Sequence, residues 1–221
     1  MLCQATGTFP RGRPGRHALV AWLLPNADPV HKVTIIPRGR ALGVTEQVPG
    51  EDQYNYSKGY LLSRLAVMLG GRVSEQIALD DITTGAENDL VEATRLARRM
   101  ITRWGMGDLG PMALSTDDQQ PFLGYDISQG RDFSDETAAQ IDRNVQTLLS
   151  DRYELVRQIL VGARGKLDSL VNELLEDETI DQDGLVRILG PRLAPSGDGK
   201  LPPMDSVIDA PSASAQKEEV E

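Results

Sequence analysis

Residues 17–36 read HALVAWLLPNADPVHKVTII, and this stretch sets the fold class. Residues 17–24 are almost entirely apolar and end at Pro25, which predicts a short buried helix. The β-branched run at 30–36 predicts a strand. Residues 41–48 can return as its antiparallel partner. We therefore expect the domain to begin with a helix followed by a hairpin.

The remaining pattern up to residue 193 is helical, with apolar residues at helical spacing between capping residues and glycines. The first predicted helix is capped by Ser57 and breaks at Gly70-Gly71, and a short helix follows over 72–79. The next begins at a capping box formed by Thr84 and Glu87 and ends at Gly105. A long helix from 134, interrupted at Gly162 and Gly165, a partner over 167–175 and a last helix near 181–189 complete the set. The middle helix should bury Leu90, Thr94, Ala97, Ile101 and Trp104. The fold class is mainly α with a small β-hairpin.

Composition narrows the function classes. The chain has 221 residues with 40% hydrophobic and 25% charged residues, as is usual for a globular protein. A net charge of -10 argues against nucleic-acid binding, which needs a basic surface. Cys3 is the only cysteine, so neither an internal disulfide nor a thiolate metal cluster can form. No apolar run approaches the ~20 residues of a membrane span.

Three segments differ in composition. Residues 1–16 are rich in glycine, proline and arginine and show no periodicity. Residues 17–193 carry the helical pattern of one folded domain. Residues 194–221 hold few large apolar side chains and several prolines and glycines, which predicts a disordered tail.

Residues 13–17 read RPGRH, directly before the apolar helix. In a helical H-E-x-x-H motif, two imidazoles one turn apart bind zinc and the glutamate acts as general base. His17 stands at the place of the second histidine, whereas Arg13 and Pro14 occupy those of the first histidine and the glutamate. Taken alone, a single histidine at a helix start is more often structural than a ligand.

Three long stretches carry a resemblance to a known family. They are HALVAWLLPNADPVHKVTIIPRGRALGVT at 17–45, YNYSKGYLLSRLAVMLGGRVSEQIAL at 54–79 and TTGAENDLVEATRLARRMITRWGMG at 83–107. In order and spacing, residues 17–189 resemble the peptidase domain of the FtsH family of ATP-dependent zinc metalloproteases. The resemblance implies the helical zinc-metallopeptidase fold of that family, with His17 and Asp89 as zinc ligands.

Other residues near these motifs have alternative roles. Asp89 also suits the positive end of a helix dipole, without any metal. Glu75, in the GGRVSEQ segment, is either an outer residue that orients a ligand or a surface ion-pair partner. His31 is the only other histidine, and replacement of the missing ligand by His31 is the less favoured alternative.

The departure at Arg13 and Pro14 puts activity in doubt. Guanidinium has no lone pair for zinc, and proline has no proton acceptor. Loss of a general base lowers a rate by about 10²–10⁴, so we expect the chain to be inactive or impaired and to bind zinc weakly or not at all. A frameshift or misplaced start before His17 would explain both residues, and so would a pseudoprotease that docks onto intact relatives. A truncated product without a function of its own is a third hypothesis.

The family resemblance also implies partners outside this sequence. FtsH-type enzymes join this domain to a membrane anchor and an ATPase module, form hexamers and degrade membrane and misfolded polypeptides at the cytoplasmic face of the inner membrane. The segments GARGKL at 162–167 and GDGKL at 197–201 fail the phosphate-binding loop pattern, so ATP is expected only on that separate module. We expect a homo-oligomer, polypeptide substrates and no membrane segment within these residues.

Overall fold

A computed structural model describes residues 13–36, 44–47, 55–79, 84–114 and 133–193. In chain order the described elements are α1 (Arg13–Leu23), β1 (Val30–Thr34), β2 (Val44–Gln47), α2 (Lys58–Leu79), a 3₁₀ turn (Thr84–Ala86), α3 (Glu87–Thr102), α4 (Asp135–Gly162), α5 (Arg164–Asp177), β3 (Thr179–Asp181) and α6 (Gln182–Leu189). This confirms the predicted fold class, mainly helical with a small antiparallel sheet. Of the irregular segment predicted at 1–16, residues 1–12 lie outside the described residues, as does the tail predicted at 194–221.

The sheet has three strands in the order β2-β1-β3, both pairings antiparallel. The predicted hairpin of β1 and β2 is confirmed, with Thr34 opposite Val44. Strand β3 was not predicted, because it is only three residues long and forms by pairing Ile180 with Val33 far along the chain. A register irregularity between Val30 and Lys32 makes His31 the extra residue of a bulge.

Helix α1 begins at Arg13, four residues before the expected start. Proline is tolerated there because the first N–H groups of a helix have no intrahelical acceptor. The carbonyl of Pro14 accepts a hydrogen bond from Thr45 Oγ1 at 2.9 Å, which ties the first turn to β2. A methyl group on Gly15 would stand 3.2 Å from Leu174 Cδ1, so α5 covers the same turn closely.

Helix α2 runs without interruption through Gly70-Gly71, so the predicted break there is wrong. Glycine costs a helix roughly 0.5–1 kcal/mol relative to alanine, and tertiary packing offsets such a cost. Both glycines are buried, and α1 packs along this part of α2. The predicted cap is confirmed, since Ser57 Oγ accepts the N–H of Tyr60 at 3.2 Å.

The described residues divide into two compact units, with Val91–Asp151 forming the second. In that unit Arg98 pairs with Asp142 at 3.0 Å, which joins α3 to α4. The predicted buried face of α3 is partly wrong, because Leu90, Thr94 and Trp104 are exposed. The buried stripe of α3 follows helical spacing but lies on a face that shares only part of the predicted one. Its buried residues are Ala93, Ala97, Met100, Ile101 and Thr102.

The first unit is built around α1, whose residues from Ala18 to Leu23 are all buried. A helix that is apolar on every side must be covered on every side. Contacts come from α2, from β1 and β2 and from α5. The segment after α6 holds the far end of α1, since Trp22 Nε1 donates to the carbonyl of Gly190 at 3.1 Å and Arg192 donates to the carbonyl of Ala27.

Candidate metal site on the first helix

The imidazole of His17 lies against the backbone of α2. Its Nδ1 atom is 2.8 Å from the carbonyl oxygen of Val67. A carbonyl oxygen can only accept, so Nδ1 carries the hydrogen and donates it. That hydrogen bond fixes the ring orientation and leaves Nε2 as the ring atom that could ligate a metal, the arrangement typical of histidine ligands in metalloproteins.

The second predicted ligand, Asp89, lies in the first turn of α3. Its Oδ2 atom is 3.6 Å from Nε2 of His17, and the two side chains are 18% and 24% exposed. Residues that are far apart in sequence therefore meet in the first compact unit, where each remains partly accessible to solvent. The carboxylate also sits at the positive end of the α3 dipole.

The separation of these two atoms fits two ligands of one zinc ion. Zinc binds histidine nitrogen and carboxylate oxygen at about 2.0–2.2 Å, and a tetrahedral angle then places such atoms about 3.4 Å apart. The observed 3.6 Å is close to that value. The same separation also falls within the range of an ion pair between the carboxylate and a protonated imidazole.

A second tie between α1 and α2 lies one residue before His17. Arg16 is buried, and its Nη1 atom donates to Ser74 Oγ at 3.5 Å. The Ser74 hydroxyl in turn donates to the carbonyl of Gly71 at 2.6 Å. These contacts hold the His17 turn of α1 in register with the double-glycine segment of α2.

The remaining candidates do not complete a metal site. Within the described ranges, no third His, Cys, Asp or Glu joins a group that could hold a metal ion. This applies to His31, which is exposed on β1, and to Glu75. The side chain of Glu75 is only 4% exposed, which rules out the alternative of a surface ion pair. Its Oε2 atom finds no hydrogen-bond partner among the described residues.

Position 13 lies one helical turn before His17, where the first histidine of the motif would stand. Arginine cannot ligate there, and Pro14 supplies no carboxylate for proton transfer. Two contributions to this site were not predicted from the sequence: the carbonyl of Val67 and the absence of a side chain at Gly71. A double glycine inside an apolar helical pattern was the signal that could have indicated them.

Comparison with known proteins agrees with this architecture. The model of peptidase family M41 matches residues 14–188. The ATP-dependent zinc metalloprotease FtsH of Nitrosococcus oceani is 53% identical over 166 residues, which cover 75% of this chain and 26% of that protein. FtsH 4 of Sphaerobacter thermophilus is 49% identical over 181 residues, covering 81% and 28%. FtsH 3 of Synechocystis is 50% identical over 179 residues, covering 78% and 29%.

The chain thus spans between a quarter and a third of the length of these relatives. Among the residues that the structure describes, no helix is both long and apolar enough to cross a bilayer. The family match covers the sheet, the site pair and all but one terminal residue of both α1 and α6. The chain therefore belongs to peptidase family M41, as a peptidase domain of the FtsH type.

Proposed function

We propose that this chain is a zinc metalloendopeptidase domain in which His17 and Asp89 supply two of the metal ligands. The observation that carries the proposal is the 3.6 Å separation of Nε2 and Oδ2, together with the Val67 hydrogen bond that orients the imidazole. When bound, zinc supplies the Lewis-acid chemistry of peptide hydrolysis. The protein contributes ring orientation and a pair of donors held on separate helices.

The sheet supports a polypeptide substrate. Strand β2 is an outer strand of the sheet, and Thr45 of this strand is bonded to the first turn of the helix that carries His17. An outer strand can pair with an extended peptide through backbone hydrogen bonds, whatever the peptide's sequence. A peptide on β2 would lie beside that first turn, which suits an enzyme that degrades membrane and misfolded proteins.

Activity should be low in the chain as it stands. Arginine stands at position 13, where the motif needs a metal ligand that guanidinium cannot be, and Pro14 removes the general base. Loss of the base alone lowers a rate by about 10²–10⁴, and loss of a ligand weakens metal binding further. The proposed cofactor is therefore zinc bound weakly, with ATP used only by a separate ATPase module.

The same two residues favour a second candidate function, a non-catalytic module that assembles with intact relatives. Such a module needs the fold and its contacts but neither the ligand nor the base. In either case we propose that the chain works in a homo-oligomer at the cytoplasmic face of the inner membrane. Both proposals rest on the resemblance to the FtsH family and not on any contact within the described residues.

The decisive variant restores the motif by Arg13→His together with Pro14→Glu. We expect bound zinc to rise to about one ion per chain and casein cleavage to rise by at least the ~10²-fold expected for a regained base. Zinc content is measured by elemental analysis after dialysis, and cleavage by release of labelled peptides. The matched control adds Asp89→Asn, which keeps the shape of the side chain but weakens its oxygen as a ligand.

The outcomes separate the two candidates. Zinc and cleavage that appear with the double substitution and vanish with Asp89→Asn support the enzyme. If the restored chain stays folded but gains neither, the enzyme proposal fails for this chain. Co-purification of the unaltered chain with a full-length FtsH would then favour the assembly module.

A further inference from the structure

The carbonyl of Val67, which orients His17, is accessible because the two residues that would cover it are glycines. In an α-helix the side chains at positions i+3 and i+4 surround the carbonyl of residue i, because each Cα–Cβ bond leans toward the N-terminus. For Val67 these positions are Gly70 and Gly71. The imidazole of His17 occupies the resulting notch, with Nδ1 on the carbonyl at 2.8 Å.

The two glycines differ in how closely the site approaches them. A methyl group on Gly71 would stand 2.8 Å from Nε2 of His17 and 3.1 Å from Oδ2 of Asp89. A methyl group on Gly70 would meet Val20 Cγ2 at 3.4 Å, Nδ1 of His17 at 3.7 Å and the carbonyl oxygen of Arg16 at 3.8 Å, which are ordinary contacts. The absence of a side chain is therefore required at position 71 and merely convenient at position 70.

We propose that Gly71 is the positioning residue of the metal pair: its bare Cα lets the backbone of α2 support both donor atoms. The inference rests on the proposed function only in taking His17 and Asp89 to be metal ligands. The distances at Gly71 are those of the chain without metal. Gly71 has no side chain and supplies no ligand atom. It acts through the placement of Nε2 and Oδ2.

The imidazole cannot move aside and keep its partner. A shift away from a methyl group at position 71 would lengthen the Nδ1 hydrogen bond to Val67 or turn the ring away from Asp89. The turn of α1 behind the ring is held by Arg16 and Ser74 and by buried apolar neighbours. A larger residue at 71 should therefore change the site without unfolding the helix, in which alanine is intrinsically favoured over glycine.

The first test uses the unaltered chain as parent and NMR of the histidine rings. A hydrogen-bonded Nδ1 proton on His17 should give a resolved signal, whereas the ring of His31 is exposed and exchanges with water. We expect Gly71→Ala to abolish the His17 signal and Gly70→Ala to keep it. The two variants are matched, since each replaces one of two adjacent buried glycines of the same helix.

The second test measures metal affinity in the chain that carries Arg13→His and Pro14→Glu, with Co²⁺ as the probe. Loss of the residues that orient a ligand typically weakens metal affinity by about 10–100-fold. We expect that loss for Gly71→Ala and less than about threefold for Gly70→Ala. The visible absorption of bound Co²⁺ reports coordination geometry, which a general loss of stability would not alter.

Removal of the ring and the carboxylate tests the cause if Gly71→Ala folds poorly. In a background of His17→Ala with Asp89→Ala, Gly71→Ala meets neither the ring nor the carboxylate and should raise the melting temperature instead of lowering it. The inference is overturned if Gly71→Ala keeps both the His17 signal and the Co²⁺ affinity, or if its instability persists without the ring and the carboxylate. Should the restored chain bind no metal at all, the proposed function fails, while the NMR comparison still decides the role of Gly71.

Discussion

The indole of Trp22 joins α1, the helix of the candidate site, to the segment that follows α6. Its side chain is 2% exposed, and Nε1 donates to the carbonyl of Gly190 at 3.1 Å. Gly190 is itself buried at the end of α6 and uses its own N–H on the carbonyl of Val186. Replacing Trp22 with phenylalanine removes the donor and leaves a buried carbonyl without this partner.

Two contributions determine how much Trp22→Phe lowers the free energy of unfolding. An unsatisfied buried acceptor costs about 1–3 kcal/mol. The phenyl ring is smaller than the indole by roughly 40 Å³, which at about 24 cal/mol per Å³ of cavity adds about 1 kcal/mol. We therefore expect Trp22→Phe to lower the free energy of unfolding by about 2–4 kcal/mol.

Urea unfolding followed by circular dichroism measures this difference, and Trp104→Phe is the matched control. Trp104 is 41% exposed and carries only the Arg99 guanidinium over its ring at 5.1 Å, so its loss should cost no more than about 1 kcal/mol. A Trp22→Phe protein within about 0.5 kcal/mol of the parent would refute the reasoning, because changes of that size are usual for surface substitutions.

The remaining predictions concern the other contacts that frame α1 and the sheet. Burial, followed by a hydrogen bond to Asp28, raises the pKa of Tyr60 to about 12. The folded pKa exceeds the unfolded value of about 10, so this contribution to stability is present below pH ~10 and is lost as pH rises toward 12. The difference in tyrosinate absorbance between the parent and Tyr60→Phe should therefore titrate with a midpoint near pH 12. A midpoint near pH ~10, the value of an unperturbed tyrosine, would contradict the prediction. Asp181 caps α6 by accepting the N–H of Gly184 at 2.9 Å, so Asp181→Ala should lower the free energy of unfolding by about 1 kcal/mol. The control is Asp183→Ala, which changes an aspartate of the first turn that is not the cap and should cost clearly less.

Local signals predicted most of the helices. Ser57 and residues 134–136 mark helix starts that the structure confirms, because a hydroxyl that accepts a backbone N–H is a short-range feature. Tertiary packing decided the rest. Gly70-Gly71 reads as a break in isolation, yet α2 continues because α1 covers it. The strand β3 exists only through its partner β1, which no local pattern records.

The site was predicted less from spacing than from family resemblance. Nothing in the sequence around His17 indicates that Asp89 should face it, since the two residues belong to helices far apart in the chain. The resemblance supplied that pairing, and the structure places Nε2 and Oδ2 at 3.6 Å. A backbone carbonyl is invisible to motif searches, because every residue has one. Only the fold reveals that the carbonyl of Val67 is the one left uncovered.

Positions 13 and 14 show why fold and chemistry can diverge in this domain. The first turn of α1 tolerates Pro14 because no N–H is needed there, and a glutamate at the same place would suit the positive end of the helix dipole. The backbone contact to Thr45 uses the carbonyl of residue 14, which every amino acid provides. Pro14 is buried in this turn, so a glutamate there would lose solvation that proline does not need, whereas proton transfer requires the carboxylate. Restoring His and Glu should accordingly keep the circular dichroism spectrum of the parent while lowering the melting temperature, and a large loss of helix would show that this turn depends on proline.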